Sequence, residues 1–155
     1  MQEQGLACPV TRGKKILVAV DGSVYSDYAV DQAVILGAIC NSKIYLISVV
    51  DLLPEQMRMA PDLVEKMSKE AKELLDRAQE KVSQANLSSE IIVRSGGRAY
   101  DFIVQEAKER DVDLIVMGTH GRTGLRNILM GSVAQHVLGK APCPVLVLPA
   151  QKQEA

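Results

Sequence analysis

The sequence predicts one α/β domain, a doubly wound sheet of five parallel strands packed between helices in a three-layer sandwich. Three observations carry that expectation. Short aliphatic runs recur along the chain, segments of helical periodicity separate them, and glycine, serine or aspartate stands where the early runs end. An uninterrupted apolar run reads as a strand covered on both faces, and parallel neighbours require a crossover, which is right-handed in nearly all cases.

The first run covers residues 15–20, with Ile16, Leu17, Val18 and Val20, and stops at Asp21, Gly22 and Ser23. Over 26–40 the spacing of Ala29, Val30, Ala33, Val34 and Gly37 predicts a helix, with Ser23, Ser26 or Asp27 as its N-cap. Residues 43–50 repeat the strand pattern and end at Asp51, before a connection containing Pro54, Met57, Met59 and Pro61. Leu63, Val64, Met67, Ala71, Leu74, Leu75, Ala78, Val82 and Ala85 then mark one face of a long amphipathic helix, its other face alternating lysine and glutamate. A third strand over 90–94 closes at Ser95, Gly96 and Gly97, Tyr100, Ile103, Val104 and Ala107 place a helix over 99–110, and 113–117 is the fourth strand. After a long glycine-studded loop, a helix over 132–138 leads to the last strand, 144–149, bracketed by Pro144 and Pro149.

At 155 residues the chain fits one domain, expected over 14–150 with loose tails at 1–13 and 151–155. With 47% apolar and 24% charged residues the composition is that of an ordinary globular protein. Eighteen Lys and Arg against nineteen Asp and Glu leave a net charge of −1, without the basic surplus that nucleic-acid binding demands. No apolar run approaches the ~20 residues of a bilayer span, so no membrane insertion is expected. Leu6, Ala7 and Cys8 faintly resemble a lipoprotein cleavage site, but no basic or apolar leader region precedes them. Cys8, Cys40 and Cys143 are odd in number, widely spaced and contain no CxxC pair, which fits a reducing compartment, the cytoplasm, better than a disulfide framework.

Ligands of such sheets bind outside the carboxyl ends of the strands, which directs attention to 21–23, 51–60, 95–98 and 118–131. In the last of these, Gly118, Gly121, Gly124 and Gly131 lie between a strand end and a helix start. Unpaired N–H groups and the helix dipole favour an anion there, and a phosphate chain is the natural guest. Glycine permits φ above zero and lets the backbone approach oxygens that a Cβ would hold away, while Ser132 can cap the helix or donate to a phosphate. Two spaced glycines alone would mark only a flexible connection. Here the loop follows a buried strand, a Gly-Ser pair opens the next helix, and Arg122 and Arg126 add positive charge that meets phosphate from the side.

The spacing Gly118-x2-Gly121-x9-Gly131-Ser132 matches the ATP-binding signature G-x2-G-x9-G-[S/T] of the universal stress protein family, and the stretches 16–23, 116–121 and 142–147 resemble that family too. The likeness covers about 14–149 and points to the family's ATP-binding branch. It implies a strand order 3-2-1-4-5 in a Rossmann-like, adenine nucleotide α-hydrolase-like sandwich, with ATP and Mg²⁺ as the bound group. By the resemblance, Asp21 would meet the ribose or a phosphate-bound Mg²⁺, and backbone at Ala19, Val20 and Val49 would hold the adenine edge. Met117, Gly118, His120 and Gly121 would follow the ribose and α-phosphate, with Arg122 beside them, and Gly131, Ser132 and Val133 would take the terminal phosphates. A homodimer through the last strand is also implied, and 145–148 would otherwise be an exposed apolar edge. In that strand order Asp21 and Gly118 end adjacent strands across the switch point. Asp21 also suits a simple turn, and the two roles are compatible.

Other features have plainer readings. His120 and His136 have no clustered cysteine or carboxylate with which to make a zinc site, and His136 reads as structural. Ser95, Gly96 and Gly97 read as a strand-to-helix turn, and Gly13, Lys14 and Lys15 lack the remainder of a Walker loop. Met57, Met59 and Met67 suit either core filling or an adaptable partner surface, the lysine and glutamate face of 65–81 is a solvated helix face, and Cys143 is expected buried and inert.

Three functions suit these residues. The first is a nucleotide-dependent stress sensor or regulator that signals its occupancy through a protein client, with slow ATP hydrolysis at most, since no water-activating base is evident. The second is an ATPase or phosphotransferase in which Asp21 or His120 positions water. The third is a phospho-accepting receiver using Asp21 or Asp51, which needs a lysine after the final strand, whereas Lys140 precedes it.

Overall fold

A computed structural model describes residues 7–10, 13–122 and 129–149. The strands are β1 (Lys15–Ala19), β2 (Lys43–Val50), β3 (Ser89–Ser95), β4 (Leu114–Gly118) and β5 (Val145–Leu148). Between them lie α1 (Val24–Cys40), α2 (Pro54–Met59), α3 (Pro61–Gln84), α4 (Ala99–Glu109) and α5 (Ser132–Lys140). All four strand pairings are parallel, in the order β3-β2-β1-β4-β5. This is the expected doubly wound, Rossmann-like sandwich.

Alternation along each strand distributes the apolar runs between two cores. Ile16, Val18, Ile44, Leu46, Leu114 and Val116 face α1 and α3, where they meet Ala29, Val30, Ala33, Leu75, Ala78 and Val82. On the other face Leu17, Tyr45, Ile47, Ile115 and Met117 meet Ile103, Val104 and Ala107 of α4 and Ala134 and Val137 of α5. Because both faces are covered, no strand needs a polar row. β5 lies at the edge, and each of its residues is half-buried.

Local chemistry fits the helix ends. Ser23 is the N-cap of α1, its side chain accepting from the Ser26 N–H, so of the three candidate caps Ser23 serves. Asn41 ends α1 with φ 53° and returns its N–H to the Gly37 carbonyl. The connection carrying Pro54 and Pro61 is largely helical, since each proline occupies a first helical turn, where its missing N–H is not needed. Gly96, at φ 90°, turns the chain between β3 and α4, as a plain strand-to-helix turn requires.

Cys8 and Cys40 form a disulfide, which corrects the reading of the cysteines and removes their support for a reducing compartment. Sequence spacing could not foresee the pair, because the sheet brings the start of β1 beside the end of α1. The described residues 7–10 are therefore tethered rather than loose, and Val10 packs against the α1/α3 core. Cys143 is a free thiol, half-buried, and burial first and the charge of Asp113 second push its pKa up. No described helix is long and apolar enough to cross a membrane.

A charged lock sits beside β3. Glu106 is 2% exposed and accepts from Arg94 Nε at 2.6 Å and Arg110 Nε at 2.7 Å, while Arg110 also reaches Glu90 at 2.8 Å. Burial alone would push the Glu106 carboxyl up. The hydrogen bonds and charges of Arg110 and Arg94 outweigh it and hold the carboxyl below the usual range.

Candidate functional site

β1 and β4 are adjacent but send their chains toward opposite sides of the sheet, which opens a crevice at their carboxyl ends. A cavity of about 440 Å³ occupies it, within the usual size of a small-molecule site. All twelve residues expected to bind the nucleotide line this cavity: Ala19, Val20, Asp21, Val49, Met117, Gly118, His120, Gly121, Arg122, Gly131, Ser132 and Val133. Arg126 and Gly124 lie outside the described residues.

Two turns and one helix start build its polar side. Asp21 Oδ1 accepts from the Ser23 N–H at 2.9 Å, and the Asp21 N–H donates to Ser26 Oγ at 3.3 Å, which ties the end of β1 to the first turn of α1. Asp21 thus holds the turn, and its Oδ2 faces Gly121, where an added Cβ would lie 2.7 Å away. His120 Nδ1 is 3.0 Å from Thr119 Oγ1, and its ring centroid lies 5.3 Å from that of Tyr25 on α1. Arg122 donates from Nε to the Asp21 carbonyl.

The start of α5 is open. Gly131, not Ser132, is its N-cap, and among the described residues no side chain caps it. That corrects the capping role expected of Ser132, which is the first helical residue. The Gly131 N–H donates to the Thr119 carbonyl at 2.7 Å and the Gln135 N–H to the Gly131 carbonyl at 3.1 Å. The N–H groups of Ser132, Val133 and Ala134 are left without intrahelical partners, and all three residues line the cavity. Three donors without intrahelical partners and the positive end of the helix dipole therefore lie at the cavity.

The loop glycines act by size, not by unusual backbone angles. Gly118, Gly121 and Gly131 are absent from the positive-φ glycines of the described chain, which are Gly13, Gly22 and Gly96. Instead a Cβ at Gly118 would strike Tyr25, and one at Gly131 would come within 3.1 Å of the Thr119 carbonyl oxygen. The expectation of φ above zero at these positions is corrected on that ground.

Sequence reasoning missed other lining residues. Met67, Glu70 and Ala71 come from α3, whose first turns overhang the sheet end, and Ala99 and Ile103 from the start of α4. Helical periodicity places Met67 and Ala71 on a buried face without telling core from cavity. Asp51 also lines the site, but it is engaged: Oδ1 lies 3.5 Å from Arg98 Nη1, and Oδ2 accepts from the Ala99 N–H at 3.4 Å. His136, expected to be structural, stacks on Tyr100 with centroids 4.2 Å apart, its Nδ1 2.7 Å from the Ser132 carbonyl oxygen.

Fold and site together define a doubly wound α/β protein with an anion-receptive crevice at its topological switch point. The chain belongs to the Universal stress protein family, whose sequence profile matches residues 13–149. It is 35% identical over 145 residues to universal stress protein MJ0531 of Methanocaldococcus jannaschii, covering 91% of this chain and 85% of that protein. Among solved structures, protein MJ0577 superposes with a TM-score of 0.82 at 27% identity, over 92% of this chain and 100% of that one. The universal stress protein from Archaeoglobus fulgidus in complex with dAMP superposes with a TM-score of 0.66 at 26% identity, over 86% of this chain and 96% of that one.

Proposed function

We propose that this protein binds ATP with Mg²⁺ in the switch-point cavity and serves as a nucleotide-dependent stress-response regulator. The observation that carries this reading is the start of α5, which no side chain caps among the described residues, its first three N–H groups without intrahelical partners, at a cavity of about 440 Å³ bounded by closely packed glycines. The dAMP complex of the Archaeoglobus fulgidus relative supports an adenine nucleotide as the guest. In this reading Ser132 and Val133 hold the terminal phosphates, Gly118 and Gly121 let the chain approach the α-phosphate, and Arg122 supplies the cation. Asp21 Oδ2, left over from the turn, meets the ribose or a phosphate-bound Mg²⁺. A bound Mg²⁺ would offset the charge of the phosphate chain.

Regulation in place of fast turnover follows from the same residues. Asp21 spends Oδ1 on the turn and, in this reading, Oδ2 on the ribose or Mg²⁺, and Asp51 is paired with Arg98, so neither is poised to activate water. Occupancy would be read by a protein client, and a second copy would cover the β5 edge.

Calorimetric titration of wild type and Gly131→Val with Mg-ATP tests the site. The expected result is a saturable heat for wild type that the valine variant loses, while that variant still melts cooperatively without nucleotide, at a temperature lowered by the crowding against the Thr119 carbonyl. With no Trp and 4 Tyr in the chain, adenine carried through purification would also pull the absorbance toward 260 nm. No heat and no melting shift at millimolar Mg-ATP would end the proposal.

A further inference from the structure

Among the described residues four polar or charged side chains are buried: Ser26, Ser42, Ser48 and Glu106. Three have partners. Ser26 Oγ donates to the Ser23 carbonyl and accepts from the Asp21 N–H, Ser42 Oγ donates to the Gly13 carbonyl, and Glu106 lies between Arg94 and Arg110. Ser48 is 5% exposed and has no hydrogen-bond partner among the described residues. Its hydroxyl is not sealed in, because no fully buried side-chain oxygen or nitrogen of the described residues lacks a partner. Ser48 lines the switch-point cavity.

Its position in β2 makes the hydroxyl an exception. Alternation places Ser48 in the row of Ile44, Leu46 and Val50, facing α1 and α3, where every other member is apolar. A hydroxyl in this row adds nothing to the apolar packing, and alanine or valine would suit the strand equally well. Such a residue marks a place where a ligand supplies the missing hydrogen bond.

We propose that Ser48 is a base-recognising residue of the nucleotide site, its hydroxyl hydrogen-bonding the purine. This rests on the nucleotide reading above. The phosphate end is set by α5 and the end of β4, and β2 lies two strands away, roughly 10 Å at ~4.8 Å per strand. That separation suits a base joined to its phosphates through a ribose. The walls there, Ile47, Val50, Met67 and Ile103, are apolar and suit the faces of a purine. Beside Ser48 the backbone is open as well. The ladder of β2 with β1 stops at Ile47, whereas its ladder with β3 runs on to Val50. Ile47 accepts from the Val20 N–H, so Val49, two residues on, also turns its main-chain groups toward the β1 side, beyond the last rung. One hydroxyl next to one unpaired stretch of backbone matches the alternating donors and acceptors of a base edge.

Titration of wild type, Ser48→Ala and Ser48→Thr with Mg-ATP and Mg-GTP, together with melting points without nucleotide, tests the assignment. Ser48→Ala should weaken ATP about fivefold and alter the ATP-to-GTP affinity ratio, while Ser48→Thr, which keeps the hydroxyl, retains most of the ATP affinity. Without nucleotide, Ser48→Ala should melt no lower than wild type. Unchanged ATP affinity in Ser48→Ala overturns the proposal, as does equal weakening of both nucleotides, which would place the contact on the sugar. A lowered melting point of Ser48→Ala without nucleotide overturns it too, by showing the hydroxyl to be structural. Wild type binding neither nucleotide would fell the nucleotide reading itself and this inference with it.

Discussion

Arg122 donates a hydrogen bond from its guanidinium Nε to the main-chain carbonyl of Asp21, fastening the loop after β4 to the turn after β1 across the point where the strand order reverses. The same side chain lines the cavity, and a Cβ at Gly22 would sit 3.3 Å from its Nη2. It therefore closes one side of the crevice and brings a fixed positive charge to it.

Arg122→Ala should weaken Mg-ATP about tenfold, through loss of the clasp and of the cation, while stability stays within about 0.5 kcal/mol because the side chain is exposed. Arg122→Lys should recover only part of the affinity, since an ammonium cannot span both loops as a planar fork does. Calorimetry on the three proteins decides it, and an alanine variant with wild-type affinity would remove Arg122 from the site.

The glycines of the described chain should respond in opposite directions. Gly118→Ala drives a Cβ into Tyr25 and should cost about 1–3 kcal/mol, seen as a lower melting point. Gly139→Ala, in α5, meets nothing within 4 Å and should gain about 0.5–1 kcal/mol from helix propensity. Equal effects at the two positions would contradict the crowding at Gly118.

Acid should loosen the lock beside β3. Glu106 and Glu90 are both held below the usual carboxylate range, so their stabilisation is complete above the unfolded value, about pH 4, and is lost as pH falls through the depressed values. Glu106→Gln should destabilise the protein at neutral pH by about 2–3 kcal/mol, less than for a wholly buried pair because Arg94 and Arg110 are partly exposed. It should also flatten the fall in stability as the pH drops below about 4, measured by urea unfolding. A variant with the wild-type acid slope would disprove the assignment.

Reduction of the Cys8–Cys40 disulfide, or Cys8→Ser, should cost about 3–4 kcal/mol, because the bond closes a loop across a sequence separation of 32. For a protein of this size that is a melting shift of about 10 °C. Residues 7–10 should then become sensitive to protease. Cys143, whose pKa burial raises, should react slowly with alkylating reagents at neutral pH. A melting point indifferent to reductant would rule out the bond.

A polar edge should disrupt the proposed pairing of two copies through β5. Val147→Lys places a charge on that strand and should convert a dimer to a monomer by light scattering at micromolar concentration. A wild-type monomer under the same conditions would dispose of the dimer.

Much of this molecule is legible in its sequence, and the exceptions share a cause. The runs at 15–20 and 43–50 announce buried strands because a doubly covered strand tolerates no polar row. Gly118, Gly121 and Gly131 announce a ligand loop because their spacing falls between a strand and a helix, although the reason for glycine proved to be the nearness of Tyr25, Asp21 and the Thr119 carbonyl. Ser48 left a signal too, a lone serine in an apolar run, but a serine there reads as an ordinary strand residue until it is seen to lack a partner among the described residues.

By itself, then, the sequence determined the elements, their parallel arrangement and the loop that borders the cavity, because periodicity, capping and turn chemistry act over a few residues. Tertiary structure alone decided that Cys8 meets Cys40, that Arg122 reaches Asp21, that Gly131 leaves α5 uncapped and that Ser48 opens on the cavity. Each of these depends on how residues distant in the chain are juxtaposed, and that is set by the packing of whole helices against the sheet, which no local pattern encodes.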